Sequence, residues 1–123
     1  ELKIEAHVTF FGQCRDWQAY AGDATALVFP SRGEGTSNVI LEALAVGLPV
    51  IISDIAMTRQ LLKDGETALI AETDDPIQWA TVITTILDDV KLRENLSHAG
   101  SALSDSFSIL RWSSSMISYI ESC

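Results

Sequence analysis

Four short runs along the chain are apolar nearly throughout: HVTFFG (7–12), ALVFPS (26–31), PVIISD (49–54) and TALIAE (67–72). Runs of this kind, bounded by Gly, Pro and Asp, predict strands covered on both faces rather than strands with one wet face. The segments between them carry helical signals. RDWQAYAGDA (15–24) places Trp17, Tyr20 and Ala21 on one face and closes at Gly22. NVILEALAVG (38–47) stops at Gly47, with Pro49 just beyond. MTRQLLK (57–63) is a short helix closed by the Asp64-Gly65 turn. After the fourth run, Pro76 suits the first turn of a helix over 76–89, whose Ile77, Ala80, Val82, Ile83, Ile86 and Leu87 follow the helical period. A second helix covers 90–107 and is weakened at Gly100; the last segment, 108–122, puts Trp112, Met116, Ile117 and Ile120 on one face. Strands alternating with helices predict an α/β fold: a Rossmann-like parallel sheet with helices on both faces and right-handed crossovers. Ligands of such sheets bind at the carboxyl ends of the strands, here the loops 12–16, 30–37 and 53–58.

Composition narrows the function more than the fold. A length of 123 residues, 47% hydrophobic and 20% charged, describes one ordinary globular domain. The net charge of −9, with eight scattered Lys and Arg, argues against a nucleic-acid groove or an anionic membrane patch. Cys14 and Cys123 have neither zinc nor redox spacing, which fits two free thiols in a reducing compartment. The longest apolar run is far short of the ~20 residues of a membrane helix. The start is acidic and has no signal-peptide pattern, so a cytoplasmic location is expected, peripheral to the inner membrane face if the protein is longer. The absence of an initiator Met leads to the expectation of a processed chain or an excised fragment.

The chemistry concentrates in EGTSNVILEALAVGLPVI, residues 34–51. Gly33 and Gly35 permit close backbone approach in the loop between the second strand and its helix. The N–H groups of Thr36, Ser37 and Asn38 then form the helix N-terminus, with Thr36 or Ser37 as N-cap, an end suited to phosphate. Glu42 lies four residues after Asn38 on the same face, and a carboxylate there can accept from a vicinal diol such as a ribose. Glu34 stands at the mouth of the same pocket, placed for a second polyol. The residues leave another reading open: Glu34 as a solvated loop acid, and Glu42 paired with a backbone amide or a nearby Arg.

FFGQCRDW, then Y–GDA–LVFPSRGEGTSNVILEALAVGLPVIISDI, then LLKDGETALI, resemble the C-terminal domain of retaining glycosyltransferases of the GT-B fold, and within them the group 1 (family 4) set that builds polysaccharides and glycolipids. The specific mark is E-x7-E, Glu34 and Glu42, embedded in EGxSNVILEALAxGxPVIxSD; the likeness covers roughly residues 7–110. The resemblance implies a UDP- or GDP-sugar donor and no cofactor or metal. It gives Glu34 the catalytic position against the donor sugar and Glu42 the ribose hydroxyls. It gives Gly35, Thr36, Ser37 and Asn38 the diphosphate, and Gly12, Gln13 and Cys14 the nucleobase. It further implies that residues 1–123 are one partial domain, lacking an acceptor domain and the first strand-helix units that carry the basic diphosphate clamp. Arg32 and Arg59 lie near the right loops but match no clamp position; Gln60 stands where relatives often carry an acid, and Ala68 where they often carry Gly.

In the full strand order the first run is separated from ALVFP by the missing strands. Here the two must pair directly, bracket a gap, or recruit strands from another copy, so self-association through an exposed sheet edge is expected. A truncated, non-catalytic module that folds and self-associates is the alternative function, and a GT-B sugar epimerase a minor one. A dinucleotide-dependent dehydrogenase is disfavoured, because no G-x-G-x-x-G follows a strand. His7 and His98 read as ordinary surface residues, Cys14 as a loop thiol, Asp54 as the cap of the next turn, and Asp74-Asp75 as a helix start.

Overall fold

The computed structural model describes residues 2–33, 38–107 and 120–122. A single 3-10 turn, Glu5–His7, precedes α1 (Gln18–Ala21), β1 (Leu27–Phe29), α2 (Asn38–Ala45), β2 (Val50–Ser53), α3 (Ala56–Leu61), β3 (Leu69–Ala71), α4 (Pro76–Asp88) and α5 (Val90–Ser106). The strands form one parallel sheet in the order β1-β2-β3. Leu27 is in register with Val50, and Ile51 with Leu69. This is the predicted α/β class.

β2 shows why the sheet needs two covers. All four of its residues are buried. Val50 and Ile52 face a cluster with Ile40, Ala43, Leu44, Leu62 and Ala68, against which Trp17 and Ala21 pack. Ile51 faces the opposite way, into a cluster with Leu69, Ile86 and Leu96, flanked by Trp79, Val82 and Ile83. The period of two along an extended chain, with apolar residues in both phases, requires helices on both sides. α5 joins both: Leu92 and Leu96 serve the second cluster and Leu103 packs on the first.

The helix ends follow local chemistry. α2 closes as the sequence predicts, with Gly47 at φ 73, Gly47 N–H on the Leu44 carbonyl and Leu48 N–H on the Ala43 carbonyl. That pair of bonds is a Schellman motif, and its positive φ is the reason for glycine. Asp75 caps α4, accepting from Ile77 N–H at 3.1 Å and Gln78 N–H at 3.0 Å, with Pro76 in the first turn. Asp89 caps α5 through Leu92 N–H at 2.9 Å.

Three expectations are corrected. Residues 7–12 are not a strand: 8–16 lie outside helix and sheet, and Phe10 and Phe11 are 93% and 62% exposed. An apolar run becomes a strand only beside a partner that takes its N–H and C=O groups, and here β1 pairs β2 while its other edge receives no strand among the described residues. The helix predicted over 15–24 shrinks to the single turn of α1, with Tyr20 turned out, its ring tilted at 42° to that of Phe11 with centroids 4.7 Å apart, rather than sharing the half-buried face of Trp17 and Ala21. α5 runs unbroken through Gly100, which is buried; a Cβ there would meet Leu44 Cδ2 at 2.8 Å, so the glycine lets α5 approach α2 closely instead of weakening the helix. The amphipathic stripe of Trp112, Met116 and Ile117 lies outside the described residues.

Candidate functional site

Pro30 ends β1, and the chain enters α2 at Asn38, whose side is exposed to solvent at the carboxyl rim of the sheet. Glu34, Gly35, Thr36 and Ser37 lie outside the described residues. Glu42 sits one turn into α2, half-buried. Its Oε2 accepts from Trp17 Nε1 at 2.8 Å and from Gln18 Nε2 at 2.6 Å. The acid is therefore paired, and neither with a backbone amide nor with an Arg: an indole and a carboxamide hold it. Oε1 takes no hydrogen bond from the described residues. Hydrogen bonds to a charged acceptor are stronger than neutral ones, which accounts for a half-buried acid in an apolar helix.

Trp17 and Gln18 are the site residues that sequence reasoning missed. The pattern assigns Trp17 to an apolar helix face, and its ring does pack on the first cluster. A buried indole nevertheless needs an acceptor for its N–H, and the acid in the apolar helix NVILEALA needs a donor; those two unmet demands are the signal. Gly12, at φ 64, and the exposed Gln13 and Cys14 lie three to five residues before Trp17, so the turn expected beside a nucleobase leads directly into the residues that hold Glu42. Cys14 is a free thiol.

Both arginines near the strand ends are engaged by acids. Arg32 pairs with Asp74 at 2.8 Å, linking the loop after β1 to the loop after β3. Arg59 places Nε on Oδ1 and an Nη on Oδ2 of Asp54. The Arg59 hydrogen bonds hold the Asp54 carboxyl below its ordinary range, and Asp54 in turn raises Arg59. Asp54 is thus an ion-pair partner rather than the cap of α3: Ile55 takes the N-cap position, and Ile55 N–H bonds back to Thr58 Oγ1 at 3.1 Å. Ser53 Oγ, at the end of β2, is buried without a partner among the described residues.

An open hollow of about 1100 Å³ runs along the outer face of α4 past Ile77, Ala80 and Val90, away from Glu42. Thr81, Thr84, Thr85, Asp88 and Asp89 share its lining with these apolar residues. A smaller hollow of about 370 Å³ at the ends of β2 and β3 is lined by Asp54, Arg59, Asp64, Glu72 and Gln78. No helix of the described residues is long and apolar enough to cross a membrane.

A parallel sheet covered on both faces, with an acid held one turn into the helix that follows its first strand, defines an α/β domain of the GT-B glycosyltransferase type. The chain belongs to the glycosyl transferases group 1, whose family model matches residues 1–89. Among curated relatives, the D-inositol 3-phosphate glycosyltransferase of Paenarthrobacter aurescens is 31% identical over 84 residues, 68% of this chain and 21% of that protein. The capsular polysaccharide biosynthesis glycosyltransferase CapM of Staphylococcus aureus is 33% identical over 99 residues, 80% of this chain and 26% of that protein. The chain thus spans about a fifth to a quarter of the length of these relatives. Among solved structures, sucrose-phosphate synthase from Thermosynechococcus elongatus superposes with a TM-score of 0.77 at 30% identity, covering 84% of this chain and 26% of that one. Anabaena Alr3699/HepE, solved in complex with UDP, shares the fold at a TM-score of 0.88 and 19% identity, over 98% of this chain and 34% of its own.

Proposed function

We propose that the chain is the donor-binding, C-terminal part of a retaining glycosyltransferase, which moves a sugar from a UDP- or GDP-sugar to a polysaccharide or glycolipid acceptor. The observation that carries this reading is Glu42, a carboxylate one turn into α2, held on one oxygen by Trp17 and Gln18. In this reading Glu42 receives the ribose hydroxyls. The backbone at Gly35, Thr36, Ser37 and Asn38 receives the diphosphate, and the turn at Gly12, Gln13 and Cys14 borders the base. Glu34 contacts the donor sugar and supports positive charge developing at its anomeric carbon. No metal is required, because N–H donors at a helix end stabilise a leaving diphosphate. Transfer itself needs the rest of the enzyme, and this chain alone is inactive. UDP or GDP should raise the unfolding temperature, since a ligand at 100 times its Kd stabilises by about 2.7 kcal/mol. Glu42→Ala should remove most of that gain. No shift with either nucleotide sinks the reading.

A second reading rests on a different observation. Arg32 and Arg59 each pair with an acid, Asp74 and Asp54, so a diphosphate would have to compete for either guanidinium. On that view the chain is a degenerate module that folds and self-associates without catalysis. Sugar transfer by the chain alone would refute it.

A further inference from the structure

Glu42 is held more closely than a diol acceptor requires. A carboxylate oxygen offers two lone-pair directions, and Oε2 fills both, one with the Trp17 N–H at 2.8 Å and one with the Gln18 amide at 2.6 Å. We propose that Trp17 and Gln18 are positioning residues: they saturate Oε2, fix the carboxylate plane and present Oε1 as the oxygen that meets the ribose hydroxyls. The proposal rests on the donor-site reading above.

The division of labour follows from the donors. An indole N–H donates and cannot accept, so Trp17 can orient the acid but cannot itself serve a hydroxyl acceptor role. Its ring is anchored against the first core cluster, which makes it a fixed post. Gln18 is exposed and adds the second bond from the next residue along α1. A glutamate that is free to rotate loses rotamer freedom on binding; one already held by two bonds has lost it beforehand, and the ligand gains the difference. The specificity that results is for a sugar with both hydroxyls. A ring without them leaves Oε1 unmet and gains nothing from the prepared geometry.

The test compares UDP and GDP with their 2′,3′-dideoxy counterparts by titration calorimetry on this chain. Trp17→Phe keeps the ring and removes the N–H; Gln18→Leu changes an exposed residue and leaves the core intact. Each should weaken ribonucleotide binding by about 3- to 10-fold, the rotamer freedom that Glu42 must then give up on binding, and leave the dideoxy nucleotides within about twofold. Both effects should vanish in a Glu42→Ala background. Equal weakening of both ligand types, no weakening, or effects that persist without Glu42 overturn the positioning role. If the parent chain prefers ribonucleotides and Glu42→Ala abolishes that preference, the donor-site reading stands even when these variants are silent. If the parent chain binds no nucleotide, both fall together. A ligand-free readout guards the premise: the Trp17 indole N–H resonance, assigned by its loss in Trp17→Phe, should move in Glu42→Ala, and a stationary resonance overturns the proposal.

Discussion

Arg59 reaches back five residues along α3's entry to engage both oxygens of Asp54, keeping 68% of its side-chain exposure while Asp54 keeps 15%. The hydrogen bonds from Arg59 lower the Asp54 pKa below its ordinary value of 3.8, outweighing the opposing effect of desolvation. A carboxyl whose folded value is depressed stabilises the native state fully above the unfolded value, and that contribution is lost as pH falls through the folded one. Asp54→Asn should therefore lower the unfolding temperature at neutral pH, and the gap to the parent should close as pH drops below about 4. A gap that stays constant down to pH ~2 would contradict the assignment. Asp54 is legible in the sequence only as a polar residue at a strand end, because its partner is settled by the direction of α3. Glu42 is legible as an anomaly, but its donors lie 24 and 25 residues upstream and only packing brings them to it.

The elements differ in how far local signals reach. α2, α4 and α5 are written into the chain by Gly47, by Asp75-Pro76 and by Asp89, each acting on its own neighbours. Residues 7–12 carry the composition of a strand, but a strand is completed by another segment of chain, and none of the described residues supplies it. Gly100 misleads for the opposite reason: its cost is local and its benefit is a contact with α2 more than fifty residues away. Gly100→Ala tests that benefit. Helix propensity favours the alanine by about 1 kcal/mol, whereas its Cβ would sit 2.8 Å from Cδ2 of the fully buried Leu44. Overpacking at such a site costs about 1–3 kcal/mol. The substitution should be destabilising on balance, lowering the melting temperature by roughly 3–6 °C in calorimetry. A gain would mean that α2 and α5 part easily.

At the scale of the whole molecule, the described residues leave the β1 edge of the sheet unpaired. β1 pairs only with β2 among the described residues, and its Val28 is 41% exposed, as Phe10 and Phe11 earlier in the chain are exposed too. We propose that copies associate through this edge, against the repulsion of nine net negative charges per chain. Light scattering should show mass rising with concentration, and more steeply as salt screens the charge. A monomer at high concentration in high salt counts against it. α5 ties the two sides of the sheet together, since Leu96 belongs to one core cluster while Leu103 packs on the other. A helix shared in this way makes the two sides of the sheet one cooperative unit. Trp17 watches one side and Trp79 the other, so in single-tryptophan variants the two fluorescence melting curves should superimpose. Amides in the middle of α5 should then exchange with solvent only when everything else has come apart.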